Sequence, residues 1–265
     1  MRDVRELTFG YSPCPNDTFA FHALAHGLID APFRITPVLL DIEELNRRAH
    51  ASEFDLTKMS VGAFAAVGDR YRLLRSGAAL GNGVGPLVVT RTPMSLADAV
   101  RGRVAIPGRE TTAYRLLRLA APSLNDVVEL RYDRILHAVE SGEVGAGLII
   151  HESRFTYMQH GLHKAIDLGD WWERETKLPV PLAGICARSD LDDATMGAAE
   201  RAIRASVQYA FDHPDASRAY VQQHAQEMSP DVQAQHIALY VNEHSLDIGD
   251  DGLRAIERLV GSSAP

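Results

Sequence analysis

Residues 7–40 read LTFGYSPCPNDTFAFHALAHGLIDAPFRITPVLL, and this stretch decides the predicted fold. A short apolar run at residues 7–11 predicts a strand, and another at 33–39 predicts a second one. Between them, apolar side chains recur with helical spacing over residues 18–26, and Gly27 closes that helix. A strand, a helix and a strand in this order are typical of an α/β fold around a mostly parallel sheet.

The same alternation continues well beyond this stretch. Further strands are predicted at residues 54–59, 87–90, 103–106, 128–131, 146–150 and 183–188. Further helices are predicted at residues 42–51, 61–67, 113–120 and 135–141. The tail, residues 191–260, has an almost wholly helical pattern. We expect its helices to pack behind the lobe that the N-terminal strands form.

Two segments suggest that the chain crosses twice between lobes. RTPMSLADAVRG at residues 91–102 forms a turn and a short helix before the strand pattern restarts. LPVPL at residues 178–182 carries two prolines, which argue against regular structure there. We therefore expect a two-lobe α/β fold with an interlobe cleft, in which residues 1–90 and 183–265 form the larger lobe and residues 91–182 the smaller.

Composition narrows the class of function. With 46% hydrophobic residues, the 265-residue chain can bury a large core, and a net charge of −8 with scattered basic residues argues against nucleic acid as a partner. The N-terminal segment lacks the pattern of a secretory signal, no apolar run is long enough to span a membrane, and Cys14 and Cys186 lie far apart. We expect a cytoplasmic protein that contacts no membrane and needs no metal; the sequence leaves a homodimer open.

Ligands of open parallel sheets lie beyond the carboxyl ends of the strands, so the loops that leave the strands are candidate sites. In GYSPCPND, two prolines stiffen the loop, and Asn16 or Asp17 can cap the next helix. In DLTKMSVGAF, a strand delivers Lys58, Met59 and Ser60 to a helix start, where backbone donors and a lysine favour a carboxylate. The structural alternatives are a capped turn, an N-cap serine and a solvated lysine.

Two loops of the second lobe have related features. VAIPGRETTAYRLL places Thr111 and Thr112 before a helix, so this helix start and that of Ser60 can hold one polar ligand from both sides. In GAGLIIHESRFTY, an apolar strand ends directly at His151, whose imidazole suits proton abstraction in an enclosed site. The alternative is a structural histidine at a sheet edge, which is the commoner case for a histidine taken at random.

Two further motifs have weaker interpretations. SGAALGNGVGP lacks the lysine and serine of a phosphate loop, so we interpret it as a bend before the strand at 87–90, from which Asn82 can face the cleft. Trp171 and Trp172 in GDWWERETKLPVP can wall an aromatic ligand, but tryptophans beneath a loop are more often packing residues.

Five of these segments together resemble one enzyme family. The segments SPCPNDTFAFHAL, DLTKMSVGAF, GNGVGPLVV, GLIIHESRFTY and DLGDWWERETKLPVPLAGI are similar, in this order, to the 1,4-dihydroxy-6-naphthoate synthases of the futalosine route to menaquinone. The likeness runs from about residue 7 to residue 185, and SPCPND and IIHE are its most specific parts. The helical tail adds little to it.

The resemblance implies a fold like the type II periplasmic solute-binding proteins, used here for catalysis. It implies a carbon–carbon lyase that acts on cyclic dehypoxanthine futalosine, a small carboxylated substrate, without a cofactor. The family's proton-accepting histidine corresponds to His151, and its ligand-contacting segments correspond to Lys58, Met59 and Ser60 in one lobe and to Thr111 and Thr112 in the other.

Two other functions remain open at this point. One is a non-catalytic solute-binding protein whose cleft closes on a small carboxylate. The other is a chorismate dehydratase-like enzyme, which shares the implied fold and also binds carboxylated rings. The GLIIHE and SPCPND segments fit the second alternative less well.

Overall fold

The protein is described by a computed structural model that covers residues 5–226 and 229–261. Its strands are β1 (Arg5–Tyr11), β2 (Phe33–Leu39), β3 (Leu56–Ser60), β4 (Tyr71–Leu73), β5 (Ala79–Gly81), β6 (Leu87–Thr90), β7 (Val104–Ile106), β8 (Val127–Glu129), β9 (Ala146–Ile149), β10 (His163–Asp167) and β11 (Val180–Arg188). Its helices are α1 (Pro15–Ala25), α2 (Ile42–Ala49), α3 (Val61–Val67), α4 (Leu96–Ala99), α5 (Thr112–Ala120), α6 (Tyr132–Ser141), α7 (Ser153–Thr156), α8 (Leu168–Thr176), α9 (Asp193–Asp212), α10 (Arg218–His224), α11 (Pro230–Tyr240), α12 (Glu243–Leu246) and α13 (Gly249–Gly261).

The strands form two sheets, one in each lobe. The sheet of the first lobe has the order β2-β1-β3-β11-β4, with β5 also paired to β11, and the sheet of the second lobe has the order β10-β6-β9-β7-β8. Both sheets are mixed, whereas the sequence pattern predicted mostly parallel ones. In the first lobe, β11 runs antiparallel to β3, β4 and β5, because the chain returns from the second lobe directly into this strand.

The sheet topology places the lobe boundaries differently from the sequence pattern. Strand β6 pairs with β9 and β10, so it belongs to the second lobe rather than to the end of the first. The first crossing therefore precedes Leu87, in a loop where Gly83 and Gly85 have positive φ angles. An apolar strand pattern cannot tell which of two sheets the strand joins, which explains the difference from the predicted boundary at residue 90.

The second crossing also differs from the prediction, because the LPVPL segment enters β11 two residues before residue 182. Pro181 pairs with Leu80, and a register shift separates it from Ala183. The ladder between β11 and β3 begins only at Ala183, so Pro181 has a strand neighbour on one side alone. A proline is tolerated in such an edge position because its missing N–H would have no partner there.

The tail helices pack mainly against the first lobe, as the helical pattern predicted. Helix α9 lies along α1, and α13 contacts α3 and β11. The core between them includes Phe9, Phe21, Ile203 and Val207. Helix α13 also reaches the second lobe, since Arg115 on α5 donates hydrogen bonds to the carbonyls of its last turns.

The structure also contains elements that the sequence pattern did not predict. These are the short strands β4 and β5, strand β10, and the helices α7 and α8. Trp172 on α8 is buried, and its Nε1 donates to the carbonyl of Pro179 at 3.0 Å, so this tryptophan is a packing residue. Within the described residues, none of the helices combines the length and apolar character that crossing a bilayer requires.

Candidate active site

A cavity of about 80 Å³ lies between the two lobes at the carboxyl ends of β1, β3, β7 and β9. The lining residues are Ser12, Asn16, Ile42, Lys58, Ser60, Ala79, Gly85, Pro86, Thr111, Thr112, Ala113, Ile150, His151, Leu182, Ala183, His236 and Tyr240. Loops of both lobes and one tail helix therefore share the same enclosed space.

The structure brings most of the predicted site residues to this cavity. Six of the eight line it, namely Asn16, Lys58, Ser60, Thr111, Thr112 and His151. They come from four different strand ends and from both lobes. The two helix starts that the sequence paired, those of α3 and α5, thus lie on opposite sides of one space.

Met59 and Asn82 do not line the cavity. Successive side chains of a strand point to opposite faces, so Met59 lies on the other face of β3 from its two neighbours. There it packs against Val67 and Cys186 in a buried cluster. Asn82 is exposed in the loop after β5, since that loop leads the chain across the surface into the second lobe. Neither residue belongs to the site that we propose.

His151 is held in an unusual backbone conformation two residues after β9 ends. Its φ angle is 56°, in the left-handed region that few residues other than glycine adopt. The ring packs edge-on against Tyr132 at 4.8 Å between centroids, and Nδ1 lies 3.5 Å from the Sγ atom of Cys14. The residue keeps some exposed surface, whereas its Nε2 atom is buried and has no hydrogen-bond partner among the described residues.

The electrostatic environment keeps this imidazole neutral. Burial and the nearby positive charge of Lys58 lower the pKa of His151 from 6.5 to about 3. Burial raises the pKa of the Cys14 thiol well above its ordinary value. The pair is therefore a neutral imidazole beside a neutral thiol.

Lys58 is part of a buried ion pair rather than a free cation. Its Nζ atom contacts Oδ1 of Asp17, and both side chains are almost fully buried. Asp17 also accepts hydrogen bonds from the backbone N–H and the hydroxyl of Ser12, at 3.0 and 2.6 Å, and from Nδ2 of Asn16 at 2.8 Å. This network fixes the SPCPND loop to β3, so the loop owes its shape to more than its prolines.

Ser60 and Asn46 are joined by two hydrogen bonds at the start of α3. The backbone N–H of Ser60 donates to Oδ1 of Asn46 at 2.9 Å, and Nδ2 of Asn46 donates to Oγ of Ser60 at 3.0 Å. The side chain of Ser60 makes no cap of α3, contrary to the structural alternative that the sequence left open. Its hydroxyl proton can therefore be donated to a ligand in the cavity.

The two threonines of α5 have different roles. Thr111 caps the helix, since its Oγ1 accepts from the backbone N–H of Tyr114 at 3.1 Å. Thr112 joins the lobes: its Oγ1 donates to the carbonyl of Leu182 at 2.7 Å and accepts from the backbone N–H of Gly62 at 3.0 Å. The backbone N–H groups of Thr112 and Ala113 lie in the first turn, which has no carbonyl one turn earlier to bond them.

Further contacts hold the lobes together around the cavity. Glu43 of α2 accepts a hydrogen bond from the backbone N–H of Glu110 at 3.3 Å, and His50 contacts the carboxylate of Glu110 at 2.8 Å. Arg47 forms an ion pair with Glu129 at 2.7 Å. These contacts close one side of the cleft and hold the two helix starts face to face.

A substitution at Gly108 tests whether this closure matters for ligand binding. A Cβ atom at Gly108 would lie 2.1 Å from Cδ of Glu43, in the other lobe. Glu43 is buried and bonded to Glu110 and Asn46, so it cannot easily move away. We expect Gly108→Ala to hold the lobes apart and to raise the KM by about tenfold, because poor placement of the substrate weakens its binding.

Steady-state kinetics with Gly102→Ala as the matched control measure this effect. A Cβ atom at Gly102 would meet no atom within 4 Å, so that variant should behave like the wild type. An unchanged KM in Gly108→Ala would show that the contact between Glu43 and Gly108 has no part in ligand binding.

Sequence reasoning missed four polar residues of the site. Ser12 was quoted only as part of its loop, and Asn46 lies inside a predicted helix. His236 and Tyr240 lie on α11, in the tail that the sequence pattern treated only as packing. Since these two residues are one helical turn apart, they mark a helix face, but nothing in the sequence says which face meets the cleft.

Comparisons with known proteins agree on one family and one fold. A family model described as menaquinone biosynthesis matches residues 7–264. A curated relative from Thermus thermophilus, named 1,4-dihydroxy-6-naphthoate synthase, is 54% identical over 256 residues, which cover 97% of this chain and 93% of the relative. A relative of the same name from Streptomyces coelicolor is 47% identical, with the same shares covered.

Solved structures support the fold. A crystal structure of an Archaeoglobus fulgidus protein has a TM-score of 0.92 at 36% identity, over 98% of this chain and 97% of that one. The periplasmic aliphatic sulphonate binding protein of Escherichia coli has a TM-score of 0.67 at 14% identity, over 97% of this chain and 86% of that one. The second likeness concerns the fold alone, and it confirms the predicted two-lobe, periplasmic-binding-protein-like architecture.

Proposed function

This chain belongs to the menaquinone biosynthesis family, and we propose that it converts cyclic dehypoxanthine futalosine to 1,4-dihydroxy-6-naphthoate with His151 as general base. The family match and both curated relatives make it an enzyme, a lyase that forms 1,4-dihydroxy-6-naphthoate. The observation that carries the assignment of the base is the unpartnered, buried Nε2 of His151 in a cavity between two helix starts.

The carboxylate of the substrate is proposed to lie between the starts of α3 and α5. Ser60 can donate its hydroxyl proton, and Thr112 and Ala113, whose N–H groups belong to the first turn of α5, line the same cavity. The positive end of the α5 dipole adds to the attraction for an anion. Donors from both lobes on one carboxylate would also favour the closed arrangement of the lobes.

His151 can act as a base through Nε2 only in one tautomer. The proton must then reside on Nδ1, which lies 3.5 Å from the sulfur of Cys14. Because burial keeps Cys14 a thiol, its sulfur can accept this proton as a weak hydrogen-bond acceptor. The lone pair of Nε2 is then free to remove a carbon-bound proton, after which carbon–carbon cleavage releases the sugar-derived fragment and the second ring becomes aromatic.

An imidazole with a pKa of about 3 is a weak base, but the pKa belongs to the unliganded site. A bound carboxylate offsets the field of Lys58, and negative charge that develops on the substrate favours the protonated imidazole. Both effects raise the pKa of His151 when proton transfer begins. The low pKa of His151 in the unliganded protein ensures that this base is unprotonated when the substrate binds.

This environment predicts the acid limb of the pH profile. The kcat/KM reports the free enzyme, so its midpoint on the acid side is expected below about pH 5 rather than near 6.5. The direction of this shift follows from the lowered pKa of His151. As the pH falls, His151 stays neutral until the pH approaches its own pKa, and only then does it stop acting as a base. The measurement is kcat/KM from pH 4 to 8, with circular dichroism to verify folding; a midpoint near 6.5 would contradict the buried, neutral state.

A non-catalytic receptor is the second candidate, because the fold is shared with the sulphonate-binding protein. Incubation with purified cyclic dehypoxanthine futalosine separates the two. A lyase forms 1,4-dihydroxy-6-naphthoate and a sugar-derived fragment, whereas a receptor returns the substrate unchanged. Mass-spectrometric detection of both products in stoichiometric amounts would support the enzyme, and full recovery of the substrate would refute it.

A cytoplasmic location is part of the same proposal. Cys14 and Cys186 are both free, buried thiols, which suits a reducing compartment. The proposed steps move a proton and cleave a carbon–carbon bond, so they need no electron carrier. The proposed partner is the small carboxylated substrate alone.

A further inference from the structure

His236 is a second imidazole in the cavity, and the base chemistry of His151 does not use it. It lies on α11 and is almost fully buried. Its ring is stacked at 27° to that of His151, with 6.3 Å between the centroids, and it packs against Tyr240. The two histidines come from different lobes and line the same cavity.

A chain of buried hydrogen bonds fixes which nitrogen of His236 carries the proton. Lys58 pairs with Asp17, so Asp17 is a carboxylate and can only accept hydrogen bonds. Asn16 must therefore turn its Nδ2 toward Asp17, at 2.8 Å, and its Oδ1 toward His236. Since Oδ1 is an acceptor, Nε2 of His236 donates to it across 2.9 Å.

As a consequence, Nδ1 of His236 is a hydrogen-bond acceptor, and no donor among the described residues bonds to it. Burial and the nearby His151 and Lys58 lower the pKa of His236 well below its ordinary value, so the ring carries a single proton, the one on Nε2. Nδ1 is buried and has no hydrogen-bond partner among the described residues. Buried acceptors are normally bonded, which points to a donor that arrives with the ligand.

We propose that His236 accepts a hydrogen bond from a hydroxyl of the sugar-derived part of the substrate, and so orients the scissile bond beside His151. The proposal rests on the proposed function of the site. Because the two rings lie 6.3 Å apart, a hydroxyl bonded to His236 would lie beside the base. A substrate carboxylate is an acceptor, so it does not fit Nδ1, whereas a hydroxyl can donate.

Two amide substitutions separate this role from a structural one. In His236→Gln, the amide nitrogen takes the place of Nε2 and can still donate to Asn16, while the acceptor at Nδ1 is lost. In His236→Asn, the side-chain oxygen takes the place of Nδ1, while the bond to Asn16 is lost. If His236 contacts the substrate, Gln should raise the KM by about 10- to 100-fold with little change in melting temperature. Asn should then retain more of the affinity in spite of a lower melting temperature.

The result that would overturn the proposal is the opposite ranking, in which His236→Gln keeps normal kinetics and His236→Asn loses activity in step with its stability. A second readout is the binding of 1,4-dihydroxy-6-naphthoate, which lacks the sugar-derived part. The affinity for this product should be the same in the wild type and in His236→Gln, and an equal loss of affinity for product and substrate would also overturn the proposal.

The control is His137→Gln, on the exposed face of α6, which should keep wild-type kinetics. A wild type that forms no product would refute the proposed function and this inference together, whereas the reversed ranking in an active enzyme refutes the inference alone.

Discussion

His151→Ala is expected to lower kcat by about 10²- to 10⁴-fold, which is the usual range for the loss of a general base. Among the described residues, only one other buried imidazole nitrogen lacks a hydrogen-bond partner, namely Nδ1 of His236, so the cavity offers little that can replace His151 as the base. Single-turnover formation of 1,4-dihydroxy-6-naphthoate measures the effect without interference from product release.

The fold should tolerate this substitution well. The φ angle of 56° at position 151 costs free energy for histidine and alanine alike, so the substitution does not remove the backbone strain. The ring contacts that are lost are those with Tyr132, Cys14 and His236. We expect the variant to bind the substrate with nearly unchanged affinity, because the proposed carboxylate contacts lie elsewhere.

The matched control is His137→Ala, which removes an imidazole from an exposed position on α6. It should leave turnover unchanged. Normal turnover in His151→Ala would remove this residue from the role of base, and the unpartnered acceptor of His236 would then become the first alternative. Loss of substrate binding in His151→Ala, with turnover reduced in proportion, would instead indicate a binding residue.

The backbone at His151 adds an independent argument for function. Residues other than glycine that are held at positive φ are costly, and they cluster at functional sites. Only two other such residues, Ser52 and Lys177, occur in the described part of the chain, and neither lines the cavity. The fold thus accepts strain at the point where the chain delivers the imidazole of His151 to the cleft.

The local structure was largely readable from the sequence because periodicity is a local signal. The bounds of β2, α3 and β6 were predicted without error, and most other predicted elements differ by one to three residues. The three-residue strands β4 and β5 are too short to show an alternation, which is why they were missed. Which sheet a strand joins depends on contacts far along the chain, so the position of β6 was not predictable from its apolar residues.

The residues of the candidate site also fall into those that local sequence patterns predict and those that only long-range contacts bring to the cavity. His151, Ser60 and Thr111 were predicted because each lies at a strand end or a helix start, positions that a sequence pattern marks. His236 reaches the cavity only because α11 packs against α1, a contact between segments more than 200 residues apart. The pairing of Lys58 with Asp17 is likewise a long-range event, so the sequence suggested a lysine for the ligand and the structure shows one neutralised by a neighbour.

Lys58→Met is expected to destabilise the folded protein by about 3–5 kcal/mol, the usual cost of removing one partner from a buried ion pair. Methionine fills a similar volume, so the loss is mainly electrostatic: Asp17 is left without its cationic partner in a site from which water is almost excluded. Urea unfolding at neutral pH measures the change. Activity should fall as well, since Asp17 holds Asn16 and, through it, His236.

A double-mutant cycle shows whether the charge is the cause. Asp17→Asn alone leaves Lys58 without its carboxylate partner and should also destabilise the protein strongly. The double variant Lys58→Met with Asp17→Asn buries no net charge, so it should be markedly more stable than the sum of the two single losses predicts. Arg72→Met, which removes one partner of the exposed ion pair with Asp193, should change stability little. If the two buried substitutions were simply additive, the pair would contribute by packing alone. The polar chain from Lys58 to His236 would then lose the charge that orients it.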